Sequence, residues 1–118
     1  MSFVDVSTLS NNLVLSQASS NFSQGFTVKP FDSFGFPVDL TGWGAWGMDI
    51  YSSTGNSSLS TVASLAPNTV YDTTGESLLE LTGTMLAGLP SGTFVYNLFR
   101  ANPSSTNQLI SAGALAVR

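Results

Sequence analysis

The sequence predicts a single antiparallel β-sandwich. Three observations favour this fold class: short segments in which apolar and polar residues alternate, turn-forming residues at intervals of roughly 8 to 12 positions, and no stretch with convincing helical periodicity. A small closed β-barrel is the alternative, because it would produce the same alternation. A length of 118 residues provides for one hydrophobic core and is too short for two ordinary domains.

The central strand of the core is predicted at residues 43–51. Strand alternation there places Trp46, Met48 and Ile50 on one face and Trp43 on the other. A short helical turn is expected at residues 84–88, where the chain crosses between the sheets. The other strands are predicted at residues 3–9, 25–31, 59–65, 69–71, 77–81, 92–100 and 109–117.

Residues 1–24 differ in composition from the sandwich predicted over residues 25–118. They are rich in Ser, Asn and Gln, and Leu13, Val14 and Leu15 are the only apolar cluster in residues 11–23. Two interpretations stay open: an extended arm that adds as a strand to a neighbouring subunit, or a first edge strand followed by a loop. Under the arm hypothesis, the residues expected to contact a partner are Phe3, Val4, Leu13, Val14 and Leu15.

The charge pattern argues against nucleic-acid and membrane partners. The chain has seven acidic and three basic residues, a formal net charge of -4, and therefore no basic patch for phosphates or anionic lipid. No apolar run approaches the roughly 20 residues needed to span a bilayer. No secretory signal is visible at the amino terminus, so assembly in the cytoplasm is expected.

The residue types needed for most catalysis are missing. The sequence has no His and no Cys, which removes the usual general base, metal ligand and thiolate nucleophile. No spacing among the carboxylates singles out a pair suited to glycoside hydrolysis. The segments that begin at Asp32 and Asp72 lack the alternating ligands of a calcium loop. We therefore expect no catalytic residue, no metal, no cofactor and a non-enzymatic function.

Two sets of aromatic residues are candidates for binding. Trp43 and Trp46 have the rings that stack on sugars, although Trp in a sandwich strand is more often a core residue. Phe34 and Phe36 flank Gly35 in a loop rich in turn-forming residues. These two phenylalanines either contact a partner or fold back over the open end of the sandwich.

From residue 25 onward the order of motifs resembles one known domain type. The motifs are GFTV at 25–28, GFPVDLTG at 35–42, MDIY at 48–51, DTTG at 72–75, LELT at 79–82, LAGLPSGTFVYNL at 86–98 and LISAGAL at 109–115. Together they resemble the immunoglobulin-like domain at the start of siphophage upper baseplate proteins. The resemblance implies an immunoglobulin-like fold, a place in the virion and a structural role.

The resemblance favours a bacteriophage capsid decoration (cement) protein that docks on the assembled shell and stabilises it. No fibre or receptor-binding region follows residue 118, so docking is the expected action. The alternatives are a small tail, baseplate or fibre-attachment component, or a module that binds host-surface glycan. The expected partners are the major capsid protein or tail and baseplate proteins, with further copies of the chain as a homo-oligomer. The predicted docking residues are Phe3, Val4, Leu13, Val14, Leu15, Phe34 and Phe36.

Overall fold

The computed structural model describes residues 9–10, 12–15, 23–52 and 61–118. Phe3 and Val4 lie outside the described residues, as does most of the strand predicted at residues 3–9. In chain order the described elements are β1 (Leu9–Ser10), β2 (Leu13–Leu15), β3 (Gln24–Val28), β4 (Trp46–Ser52), β5 (Thr61–Leu65), β6 (Asn68–Thr73), β7 (Glu76–Leu81), α1 (Gly83–Ala87), β8 (Gly92–Ala101) and β9 (Asn107–Val117).

The strands form two separate sheets, which confirms the predicted sandwich. One sheet has the order β1-β9-β8-β4-β5, with β2 also paired to β9, and the other has the order β3-β7-β6. Neighbouring strands are antiparallel, except that β1 and β2 run parallel to β9. The chain passes from β3 to the opposite sheet for β4 and β5, returns for β6 and β7, and crosses again for β8 and β9. This order is that of an immunoglobulin-like sandwich.

The core lies between the sheets, and strand alternation explains its composition. Trp46, Met48 and Ile50 of β4 are buried, and they face Leu79 and Leu81 of β7 within one hydrophobic cluster. Each such side chain stabilises the fold by about 1.5–3 kcal/mol when fully buried. The intervening residues of β4 are partly exposed on the outer face of the sheet.

Trp43 corrects one detail of the predicted central strand. The backbone N–H of Trp43 donates to the carbonyl oxygen of Leu40 (3.1 Å) in a turn, and β4 begins only at Trp46. Alternation therefore does not extend back to residue 43. Trp43 and Trp46 are 8% and 3% exposed, so both belong to the core, and the prediction that Trp43 lies on the opposite face is wrong.

The predicted helical turn is α1, which connects β7 to β8. The hydroxyl of Thr82 caps its start by accepting a hydrogen bond from the backbone N–H of Met85 (3.4 Å). Leu86 is buried on its inner side. This connection between the sheets thus contributes Leu86, and Leu89 just after the helix, to the core.

β2 is an edge strand of the chain's own sheet. Leu13, Val14 and Leu15 pair in parallel with β9, and the carbonyl of Leu15 accepts from the N–H of Arg118 (2.9 Å). Leu15 is 1% exposed in the core, Leu13 packs partly buried against the core, and Val14 is 52% exposed. The expectation that the side chain of Leu15 contacts a partner is therefore corrected, because that side chain fills the chain's own core.

Candidate docking site

Three connections lie together at one end of the sandwich. β4 and β8 are antiparallel, and Trp46 at the start of β4 is opposite Arg100 near the end of β8. Arg100 also reaches across to Asp72 on β6, in the other sheet. The loop end is defined as the connections that meet at this place: the β3–β4 loop (29–45), the β6–β7 turn (74–75) and the β8–β9 loop (102–106).

A buried arginine holds the loop end together. Arg100 is 3% exposed and makes two hydrogen bonds to the carboxylate of Asp72, through Nη1 (3.0 Å) and Nη2 (2.8 Å). It also donates to three carbonyl oxygens of the β3–β4 loop: Leu40 (3.1 Å), Trp43 (3.3 Å) and Gly44 (2.8 Å). A buried charged group requires hydrogen-bond partners. Carbonyl oxygens of a loop also require donors, because they have no neighbouring strand to bond to. Arg100 therefore fastens the loop to both sheets.

Asp72 is matched to the charge of Arg100. Burial raises the pKa of Asp72, but hydrogen bonds from Arg100 and Ser77 and the positive charge of the guanidinium outweigh this effect. The pKa of the carboxyl consequently lies below its ordinary value of 3.8. The hydroxyl of Ser77 donates to Oδ1 of Asp72 at 2.7 Å. The pair is thus ionised at neutral pH and links β6, β7 and β8.

The two tryptophans lie beside Arg100. The guanidinium of Arg100 lies 4.8 Å from the centre of the Trp46 ring, a cation–π contact. Within the described part of the chain, Nε1 of Trp46 is buried and has no hydrogen-bond partner. Because both tryptophans are buried in the core, neither presents a ring on the surface for a sugar to stack on.

The β3–β4 loop reaches its tip in a tight turn built on Asp32. The carboxylate oxygen Oδ1 of Asp32 accepts from the N–H groups of Phe34 and Phe36, each at 2.9 Å. The N–H of Asp32 donates to the carbonyl of Phe36 (2.9 Å), and the N–H of Gly35 donates to the carbonyl of Asp32 (3.1 Å). Gly35 has a φ of 87°, where only glycine is free of steric cost. The aspartic turn is the name used below for residues 32–36.

The β8–β9 loop contains a second turn with the same hydrogen bonds. Oδ1 of Asn102 accepts from the N–H groups of Ser104 (2.9 Å) and Thr106 (3.1 Å). The N–H of Asn102 donates to the carbonyl of Thr106 (2.9 Å), and the N–H of Ser105 donates to the carbonyl of Asn102 (2.8 Å). Ser105, in the place of Gly35, has a φ of 62°. Residues 102–106 are called the asparagine turn below.

The side chains on the two turns differ completely. Phe34 is 81% exposed and Phe36 is 66% exposed, whereas the matching residues of the asparagine turn are Ser104 and Thr106. The asparagine turn shows that this backbone forms with polar residues at both places. The phenylalanines are therefore not required by the turn, and they do not fold back over the core as one of the two interpretations held.

The aspartic turn is anchored where the loop returns to the sandwich. Residues Phe31 and Pro37 form an isolated bridge at its base, and Asp39 forms another with Thr74. A Cβ built on Gly75 would meet Pro37 at 2.9 Å, so the loop packs closely on the β6–β7 turn. Val38 is buried just beyond the tip. The exposed rings thus stand on a loop with fixed ends.

Carboxylates of the described residues do not assemble into a metal site. Within residues 9–10, 12–15, 23–52 and 61–118, no group of three or more Asp or Glu lies close enough to hold an ion. Asp49, on the outer face of β4, accepts hydrogen bonds from Ser64 (2.9 Å) and Tyr51 (3.2 Å). Over the same residues, no helix has the length and apolar character needed to cross a membrane.

The sequence pattern identified Phe34 and Phe36 as candidates, and both are exposed, but it did not identify Arg100 and Asn102. Arg100 follows Tyr96 and Leu98 at the inward-facing positions of β8, and this alternation was the available signal for its burial. Asn102 and Asp32 each stand three residues before a positive-φ residue, but only Gly35 announces that conformation in the sequence. The burial of Arg100 and the positive φ of Ser105 therefore depend on tertiary contacts that the local sequence does not show.

Comparisons with known proteins add little. No protein-family model matches the sequence, and no curated protein matches it significantly. Among solved structures, murine CRIg is 10% identical, with 96% of each chain covered and a TM-score of 0.34. A chain in a structure of T-cell activation by the bacterial superantigen toxic shock syndrome toxin-1 is 14% identical, with 97% of each chain covered and a TM-score of 0.32. Because these scores are low, the fold assignment depends on the strand order.

Proposed function

We propose that this chain is a non-enzymatic structural protein of a bacteriophage particle, a decoration protein that docks on the assembled shell through its aspartic turn. The observation that carries the docking role is the exposure of Phe34 and Phe36 on a turn that does not need them. The resemblance to siphophage baseplate domains and the low content of charged residues, 8%, support the virion assignment. The partner is the major capsid protein of the shell.

Most of the binding free energy is expected from covering the rings of Phe34 and Phe36. Covering an exposed phenylalanine side chain contributes about 1.5–3 kcal/mol. The hydrogen bonds to Asp32 hold the backbone that carries both rings, so little backbone conformational entropy is lost when they bind. A protein that binds the closed shell better than free subunits shifts the assembly equilibrium toward the shell. Repetition of one modest contact over a symmetric particle then stabilises the whole.

The decisive experiment uses particles assembled without the protein. Purified chain is added, and bound copies are measured by co-sedimentation, with cryo-electron microscopy to locate them. The double variant Phe34→Ser with Phe36→Thr gives the aspartic turn the side chains of the asparagine turn. We expect the affinity to fall by at least about 30-fold, which corresponds to the loss of about 2 kcal/mol that a single hot-spot residue contributes.

The matched control is Val62→Thr, because Val62 is an exposed apolar residue (36%) on β5, away from the loop end. Its affinity should stay within about twofold of the native value, as is usual for a surface change outside the contact. Native affinity in the double variant would refute the aspartic turn as the docking site. Failure of the native chain to bind particles of any kind would refute the virion role.

A further inference from the structure

We propose that the surface receiving the aspartic turn is a pocket on a different protein, apolar at its base and rimmed by Lys or Arg side chains. This inference rests on the docking role proposed above and specifies the chemistry of the partner. Three features of the loop end lead to it: the shape of the turn, the charges around it and the shortage of cations in the chain itself.

The shape favours a pocket. Phe34 and Phe36 are the two most exposed large apolar side chains in the described residues. They project from a turn of five residues whose internal hydrogen bonds leave the backbone little need of outside partners. Two rings on a narrow tip bury most area when they enter a concave apolar site, since a flat surface would cover only one side of each ring.

The charges around the tip are mainly negative. Asp32 is within the turn, and Asp39 and Glu76 flank it at the base of the loop and at the start of β7. Hydrogen bonds from the hydroxyl and then the N–H of Thr41 lower the pKa of Asp39, so it is ionised at neutral pH. Lys29 is the exposed cation nearby, directly after β3. Charge complementarity then calls for cations around the pocket.

The same charges exclude the other occupants. Anionic lipid and nucleic acid would be repelled by the acidic rim. A second copy of the chain cannot supply the complementary rim, because the whole sequence has only three basic residues. Of these, Arg100 is 3% exposed and is paired with Asp72, which leaves Lys29 and Arg118. A different protein is the occupant that fits.

Site-specific photo-crosslinking of the full chain, in the cells that produce it, tests this. The probe is benzoylphenylalanine placed at position 34 and, separately, at position 36, with position 62 as the control. We expect one shared adduct from positions 34 and 36 that is missing from position 62. Mass spectrometry should place it in a polypeptide of different sequence, at an apolar segment with Lys or Arg side chains beside it in that protein's structure.

Opposite charge changes on the loop end supply a second measurement, made with the purified crosslinked partner. Glu76→Lys should slow association about two- to fivefold and Lys29→Glu should speed it by a similar factor, because rim charges act mainly on the association rate. Both effects should shrink in 1 M salt, where charges are screened beyond about 3 Å. Equal rates in both variants would contradict the basic rim.

The outcomes are distinct. An adduct with lipid, with another copy of this chain or with a surface that lacks Lys and Arg overturns the inference, as does no adduct at all. An adduct with a basic-rimmed pocket of a protein that is not part of a virion upholds the inference and refutes the virion role. An adduct with such a pocket on a capsid protein supports both, whereas one on a tail protein supports the inference and the virion role but refutes docking on the shell.

Discussion

The aspartic turn and the asparagine turn are one backbone design with two different surfaces. In each turn, the side-chain oxygen of Asp32 or Asn102 accepts hydrogen bonds from two backbone N–H groups. The residue three positions later, Gly35 or Ser105, has a positive φ. They lie at the same end of the sandwich, yet one carries two exposed phenylalanines and the other carries Ser and Thr. The difference teaches that this turn forms equally well with polar side chains, so the fold itself does not require phenylalanine at positions 34 and 36.

The largest expected effect tests whether the two turns share one support. Arg100→Met leaves the carboxylate of Asp72 without its partner and removes three hydrogen bonds to the β3–β4 loop. We expect the free energy of unfolding to fall by about 3–5 kcal/mol, the usual cost of breaking a buried ion pair from one side. Urea denaturation measures it. The double variant Arg100→Met with Asp72→Leu should recover part of the loss, and no recovery would contradict the paired-charge explanation.

The next effect compares the two side chains that organise the turns. Asn102→Ala removes an amide that is 4% exposed and leaves two N–H groups unpaired, so we expect a loss of about 2–3 kcal/mol. Asp32→Ala breaks the same number of hydrogen bonds at a more exposed place, where water replaces them, and should cost about 1 kcal/mol. Urea denaturation measures both losses in the free energy of unfolding. Equal losses for Asn102→Ala and Asp32→Ala would contradict the expected effect of burial.

A smaller effect concerns the positive-φ residues, and its sign should reverse between the turns. Gly35→Ser introduces a Cβ at a φ of 87° and should destabilise the protein by about 1 kcal/mol. Ser105→Gly relieves the same strain at a φ of 62°, and after the entropy cost of glycine it should be neutral or stabilising by up to about 1 kcal/mol. Midpoints of urea unfolding for both variants measure this, and two shifts of the same sign would contradict it.

The smallest effect is the pH dependence of the loop end. The pKa of Asp72 in the folded chain is lowered from 3.8, so its ionised form stabilises the fold above that value. This contribution is lost as the pH falls below 3.8 and through the lower folded pKa. Thermal unfolding between neutral and strongly acidic pH should therefore show a stability decrease below pH 3.8 that is reduced in Asp72→Asn. An identical decrease in the variant would assign the effect to other carboxylates.

The sequence predicted the strands well because burial repeats every second residue. The alternation of Trp46, Met48 and Ile50 and that of Tyr96 and Leu98 correspond directly to the inner faces of β4 and β8. The exposed pair of phenylalanines was also recognised as a candidate, since aromatic residues beside Gly in a loop are unusual. Both signals are local, and each can be read from a few neighbouring residues.

Other features depend on partners distant in the sequence. The apolar cluster Leu13–Leu15 does not reveal in the sequence that it forms a strand parallel to β9 or that Leu15 completes the core. The burial of Arg100 follows from Asp72 and from the returning β3–β4 loop, none of which is adjacent. Ser105 gives no sign of a positive φ, because Asn102 and the antiparallel strands around the turn impose it.

The position of the two tryptophans makes the loop end optically visible. Trp43 and Trp46 are the only tryptophans in the chain, and both are buried beside Arg100 at the base of this end. Tryptophan fluorescence therefore reports on hydration of the loop end alone, while the α1 end of the sandwich has no indole. A change in emission before the loss of β-sheet circular dichroism would show that the loop end opens first, without any attached dye.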